Sequence, residues 1–297
     1  MPKRKILYLI GLDRSGSTIT GAMLGNHKSI ACFGELQYHA KAVLANRMIN
    51  DDQPINEISF WQTINKKLTI EFGNDIFQEY HKWKNKYERW RNLPILLLHF
   101  FTRNQNLKQY WKYNLMLVGA LLDKDSKTTL CDSSKNVVRR FALGLSASYD
   151  LKTIFIIRDV RGYYWSTKKR LLKEKKPIPI LSISLKWIAN NILFAIISFC
   201  GNFLTIRYEA LYNFPDLNFL RMSKKIKLDL MGLAEIVKEK RGIKSDNIIA
   251  GSHTVRNHKD LIIEIDESWK KHLSSKEKNV ILMWSRWLLL MFGFSKN

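Results

Sequence analysis

The chain has 297 residues, 46% of them hydrophobic, and its 49 Lys and Arg outnumber 26 Asp and Glu to give a net charge of +23. That apolar content at that length builds a full core and excludes a disordered or fibrous chain. With no internal repeat and no Pro- or Gly-rich linker, one domain over residues 1–297 is expected. The charge attracts nucleotides, acidic polymers and anionic lipid without choosing among them, and a solvated Lys-rich surface explains it equally well.

Lys3, Arg4 and Lys5 precede an apolar run from Ile6 to Leu12 that ends at Asp13 and Arg14, too short for the apolar region of a signal peptide. The run reads as a first strand. Further β-branched apolar runs of strand length lie at Ile30–Gly34, Thr128–Cys131, Thr153–Ile157 and Phe203–Ile206, and helical stretches separate most of them. Short apolar strands alternating with helices predict an α/β fold, a three-layer α/β/α arrangement about a central parallel sheet. The stretch from about 40 to 125 interrupts that alternation as a helical insertion after the second strand. It carries Trp61, Trp83, Trp90 and Trp111, which serve a core or an acceptor-binding lid, the core being favoured. Trp187 to Ile206 contains Asn190, Asn191 and Asn202, and reads as a helix followed by a strand rather than a membrane span. Cys32, Cys131 and Cys200 are too few and too scattered for a disulfide framework. A reducing, cytoplasmic setting is therefore expected, with peripheral membrane contact left open.

In parallel sheets of this class ligands gather at the carboxyl ends of the strands. After the first strand comes Gly11-Leu-Asp-Arg14-Ser15-Gly16-Ser17-Thr18, a glycine-containing loop opening onto a helix. Such a loop points backbone N–H groups at a phosphate-like anion. Gly11 and Gly16 have the spacing of a nucleoside-triphosphate P-loop, but Ser17 stands where that loop requires Lys. An ordinary Ser/Gly turn, with Ser17 or Thr18 capping the helix, is the plain alternative. After the fourth strand come Arg158 and Asp159, with Ser166 eight residues beyond Arg158. Arg suits a terminal phosphate because its fork donates parallel charge-assisted hydrogen bonds. An Arg158–Asp159 ion pair is the structural alternative.

Arg14-Ser-Gly-Ser-Thr18 and Arg158…Ser166, in that order and after those strands, resemble the sulfotransferases that use 3′-phosphoadenosine-5′-phosphosulfate (PAPS). Weaker matches are Gly34-Glu35, Asp132-Ser-Ser-Lys135, Arg207-Tyr208-Glu209, Ser268-Trp269 and Phe292-Gly-Phe294. The resemblance implies a P-loop-like fold and sulfuryl transfer to an acceptor hydroxyl or amine, a carbohydrate or another hydroxyl compound. It implies that Arg14, Ser15, Gly16, Ser17 and Thr18 hold the 5′-phosphosulfate and that Arg158 and Ser166 hold the 3′-phosphate. It further implies that Tyr208 contacts the adenine and that Arg256, in Gly251-Ser-His-Thr-Val-Arg256, reaches the 3′-phosphate. The same likeness makes Glu35 the catalytic base, against a helix-capping or ion-pairing role, with His39 as the alternative base. Lys135 is then assigned to the sulfonate or the acceptor, unless Ser133 or Ser134 simply starts a helix there. No metal is expected. The competing functions are a P-loop kinase and a non-catalytic polyanion-binding protein; no helix-turn-helix, zinc-finger or RNP-type pattern supports specific nucleic-acid binding.

Overall fold

The structure is a computed structural model that describes residues 3–49, 53–251 and 261–294. Its five principal strands are β1 (Arg4–Ile10), β2 (Ile30–Cys32), β3 (Thr129–Lys135), β4 (Tyr149–Ile157) and β5 (Leu204–Arg207). They form a central parallel sheet in the order β2-β3-β1-β4-β5, surrounded by helices. All five predicted strands are present. β3 is longer than its apolar run: it continues through Asp132, Ser133 and Ser134, which are buried. Asp132 and Ser134 persist in that strand because partners await them, Arg139 for the carboxylate and the Gln37 N–H for the Ser134 hydroxyl, whereas the Ser133 hydroxyl has no partner among the described residues.

The chain's contacts divide it into two compact units, each assembled from separated stretches. The first comprises Met1–Leu9, Thr18–Thr153 and Gly242–Leu261; the second comprises Ile10–Ser17, Ile154–Arg241 and Ile262–Asn297.

In the first unit β2 pairs with β3 in the register Ile30↔Thr129, Ala31↔Leu130 and Cys32↔Cys131. Helix α1 (Ser17–Gly25) follows β1, and the insertion between β2 and β3 is helical. It holds α2 (His39–Leu44), α3 (Ser59–Phe72), α4 (Ile76–Tyr87), α5 (Leu93–Phe101) and α6 (Gln105–Asp125). α6 buries Tyr110, Tyr113, Asn114, Leu117 and Leu121, the three- and four-residue spacing of one helical face. Asn104 caps its start by accepting from the Asn106 N–H at 2.9 Å, and Ser126 ends it in the left-handed conformation. The tryptophans of this stretch divide: Trp61 lies in the core beside Phe33 and His39, whereas Trp90 is half exposed. After β3, Asn136 rather than Ser133 or Ser134 caps α7 (Val137–Gly144), accepting from the Val138 and Arg139 N–H groups.

In the second unit β4 and β5 pair with Ile154↔Leu204 through Ile157↔Arg207 in register. Arg158 and Tyr208 therefore leave neighbouring strand ends together. Helices α8 (Val160–Lys173) and α9 (Ile180–Cys200) separate those strands, and α10 (Tyr208–Asn213), α11 (Pro215–Ile226) and α12 (Met231–Lys238) follow β5. The sequence expectation of a helix and then a strand between Trp187 and Ile206 matches α9 and β5. By length and composition α9 is also apolar enough to cross a membrane. α13 (Trp269–His272) and α14 (Ser275–Met291) close the unit, α14 starting at a reciprocal Ser274–Glu277 capping box.

Candidate active site

The second unit brings the glycine loop together with the end of β4. Gly16 has φ +90°, and a β-carbon there would lie 2.2 Å from the Tyr208 ring. Any other residue would be strained in its backbone and would collide with that ring. Arg14 adopts φ 67°, an uncommon conformation for a residue bearing a β-carbon, and its guanidinium donates to Ser166 Oγ at 3.2 Å. Burial, followed by repulsion from Arg170, lowers the Arg14 pKa. The helix begins at Ser17, so neither Ser17 nor Thr18 stands in the capping position before it. Ser15 and Ser17 are buried, and their hydroxyls have no hydrogen-bond partner among the described residues.

Arg158 is 6% exposed and lies over the Tyr208 ring, with Cζ 4.8 Å from the ring centroid. One amino group donates to the Arg14 carbonyl at 3.3 Å; the other donates to the Asp266 carbonyl at 2.9 Å and its carboxylate at 3.1 Å. Its Nε is buried without a partner among the described residues. Gly162 allows the first turn of α8 to lie against it, since a β-carbon at that position would stand 3.0 Å from Nε. An Arg158–Asp159 pair does not form. Asp159 instead caps α8 through the Arg161 N–H at 2.7 Å and holds the Arg161 guanidinium with both carboxylate oxygens. Ser166 is bonded to Arg14, rather than to the Arg158 with which its spacing associated it.

Two carboxyl groups here carry perturbed titration. Burial raises Asp266, but the Ser268 hydrogen bond and the charges of Arg158 and Lys169 outweigh it, leaving its pKa at about 2. Glu209 accepts from the Asp159 N–H at 3.0 Å, and burial, with Asp159 adding to it, pushes its pKa up to about 7. Sequence reasoning missed Asp266 entirely. The only signal was its position two residues before Ser268-Trp269, which says nothing of a bond to a residue 108 positions away.

The first unit brings Glu35 and Lys135 together. Gly34, at φ +80°, turns the chain so closely past the Ala250 carbonyl that a β-carbon would stand 2.5 Å from its oxygen. The Glu35 N–H donates to that same carbonyl at 3.3 Å. Glu35 precedes the short 3-10 turn Leu36–Tyr38 without capping it through its side chain. Its carboxylate accepts from Lys135 Nζ at 2.8 Å and from Gln37 Nε2 at 3.3 Å, and both charged side chains are largely buried. His39, the alternative base, is engaged at both nitrogens: Nε2 donates to Asn65 Oδ1 at 3.0 Å, so Nδ1 accepts from the Tyr113 hydroxyl at 2.8 Å. Complete burial pushes its pKa down to about 4. It is a hub of the core. Arg256 lies outside the described residues. Among the described residues no three His, Cys, Asp or Glu side chains form a metal-binding group.

The same unit also holds a buried network that the sequence did not announce. Arg139 donates to Asp132 at 3.1 Å, Glu88 at 2.7 Å and the Tyr80 hydroxyl at 2.9 Å, while the Tyr110 hydroxyl donates to Glu88 at 2.9 Å.

No protein-family model matches the chain, and no curated protein matches it in sequence. Solved structures do match it in fold. The sulfotransferase domain of the Synechococcus PCC 7002 olefin synthase aligns with 100% of this chain and 97% of its own, with TM-score 0.54 and 15% identity. The sulfotransferase domain from the curacin biosynthetic pathway aligns over 99% of both chains, with TM-score 0.52 and 15% identity. The chain therefore has the α/β, P-loop-like fold of these domains.

Proposed function

We propose that the chain is a PAPS-dependent sulfotransferase acting on an acceptor hydroxyl or amine, with residues 1–297 working as one catalytic domain in a cytoplasmic setting. The observation that carries the proposal is the cluster in the second unit. Two buried serine hydroxyls on the glycine loop and the buried Nε of Arg158 at the end of β4 lack partners among the described residues, where Arg14, Ser166, Arg158 and Tyr208 converge. Buried polar groups are normally satisfied, and unsatisfied ones at a strand-end loop suit an anionic ligand that would complete them. Arg14, Ser15, Gly16, Ser17 and Thr18 would hold the 5′-phosphosulfate, Arg158 with Ser166 the 3′-phosphate, and Tyr208 the adenine. Arg256 is assigned to the 3′-phosphate on the sequence resemblance alone.

In the reaction the acceptor oxygen or nitrogen bonds to sulfur while the bond from sulfur to the 5′-phosphate oxygen breaks. Charge develops on the departing phosphate, where Arg14 and the loop N–H groups stabilise it. The acceptor proton passes to the Glu35 carboxylate, which Lys135 and Gln37 hold in place. Lys135 would also contact the sulfonate or the acceptor.

Thermal shift with adenosine 3′,5′-bisphosphate, AMP and Mg-ATP tests this reading. Stabilisation by the bisphosphate well above that by the other two is expected. Preference for Mg-ATP would replace the proposal with a kinase, and equal weak shifts for all three would leave only a basic polyanion binder.

A further inference from the structure

Helix α9 has its polarity reversed. Its buried side includes Ser184, Asn191 and Ser198, seven residues apart, alongside Ile183, Trp187 and Phe194. Ser184 and Asn191 satisfy themselves within the helix by donating to the Ile180 and Trp187 carbonyls. The solvent side carries Leu185, Leu193, Ile196 and Phe199, the last 90% exposed, and Lys186 is the helix's sole charged residue. α14 packs against α9 and exposes Trp284 and Trp287. A water-facing helix pair ordinarily shows the opposite arrangement, and an apolar surface of this extent marks a contact.

What surrounds the pair indicates the contact. Residues 168–176, at the end of α8 and just beyond it, contain six Lys or Arg and one acidic residue. α8 packs on both α9 and α14. Lys173, Lys175, Lys186 and Arg286 make no ion pair with any described residue, so their charge is available to an external partner. Aromatic and aliphatic side chains on one surface with Lys and Arg beside them are the pattern of a helix lying in a lipid headgroup layer. We propose that the α9–α14 face seats the protein on an anionic bilayer surface. The helices lie in that surface and do not cross it. Trp187 Nε1 donates to the Arg158 carbonyl at 3.0 Å, and the Phe194 ring packs on Phe155 with centroids 5.6 Å apart. Crossing would tear both from the sheet. A second copy of the chain is the poorer occupant, because it would bring the same cations and another net charge of +23 against this face. The proposal stands whether or not the chain transfers sulfuryl groups.

Vesicle flotation of the full chain tests it, comparing phosphatidylcholine alone with phosphatidylcholine containing phosphatidylglycerol. We expect flotation with the anionic vesicles and little with the neutral ones. Lys173→Gln with Lys175→Gln should cost on the order of fivefold in partitioning per lysine. Ile196→Ser with Phe199→Ser should lower it by at least tenfold at unchanged lysine content. A readout without mutation is the exposed Cys200 at the end of α9, the other cysteines being buried or half-buried. A polarity-sensitive dye there should shift to the blue on anionic vesicles. Three results would overturn the proposal: no flotation; flotation with no dye shift and no loss in the Ile196/Phe199 variant, which leaves charge adsorption alone; or a stable lipid-free dimer that the same variant dissociates, which assigns the face to a second copy.

Discussion

Two buried arginines in this chain have opposite surroundings. Arg139, in the first unit, is 1% exposed and spends its fork on Asp132, Glu88 and Tyr80. Arg158, in the second unit, is almost as buried, yet among the described residues its Nε has no partner and its one carboxylate partner, Asp266, is about one-third exposed. Equal burial therefore does not mean equal purpose. An arginine enclosed by two protein carboxylates has little left to offer a ligand, whereas one with spare donor capacity at a strand end is the one proposed above to receive an anion.

Breaking the first arginine should give the largest effect. Arg139→Leu leaves Glu88 and Asp132 buried without their cation, and we expect a loss of about 3–5 kcal/mol of stability in urea denaturation. Nucleotide affinity of the molecules that remain folded should not change. A nearly neutral substitution would erase the contrast.

The Glu35–Lys135 pair shows which kind of burial it represents by a split between binding and turnover. Glu35→Gln should leave affinity for adenosine 3′,5′-bisphosphate intact and lower kcat by about 10²–10⁴-fold at saturating donor. Unchanged turnover per folded molecule would place the pair with Arg139, as scaffolding.

How much of this was visible in the sequence follows from the range of each interaction. The five strands were legible because each is a continuous apolar run bounded by glycine or polar residues. The loop from Gly11 to Thr18 and the Arg158…Ser166 spacing were legible because each lies within one local stretch. The end of β3 was not: its polar residues Asp132 to Ser134 look like a loop until Arg139, from the next helix, is seen to satisfy Asp132. Asp266 and the saturation of His39 by Tyr113 and Asn65 depend on residues far apart in the chain. The inversion of α9 was hidden because composition records that a helix is apolar and not which side faces inward.

The contrast between the units extends to their titrating groups, which should oppose each other. His39 has a folded pKa of about 4, below its ordinary 6.5, so its stabilising contribution is present above 6.5 and is lost as pH falls toward 4. Glu209 is raised from 4.5 to about 7, so its contribution is present below 4.5 and is lost as pH rises through 7. Each slope is about 1.4 kcal/mol per pH unit, and between about pH 4.5 and 6.5 they cancel. Glu209→Gln should uncover stability that rises with pH in that window, and His39→Gln stability that falls. Chemical denaturation at three pH values reads both slopes, and parallel slopes in the two variants would contradict the assignment.

A smaller effect is expected at Asp266, whose carboxylate remains ionised at working pH and would face any phosphate held by Arg158. Asp266→Asn should tighten binding of the 3′,5′-bisphosphate severalfold, on the order of 1 kcal/mol, and leave AMP unaffected. Weaker bisphosphate binding would mean that Asp266 holds Arg158 in its binding position.

The most direct test is calorimetric titration of the wild type and Arg158→Ala with adenosine 3′,5′-bisphosphate and with AMP. The wild type should prefer the bisphosphate, and the variant should lose about 30–100-fold of that preference, roughly 2–3 kcal/mol for a charge-assisted pair, with AMP affinity unchanged. A preference that survives in the variant, or that is absent from the wild type, would show that Arg158 does not read the 3′-phosphate.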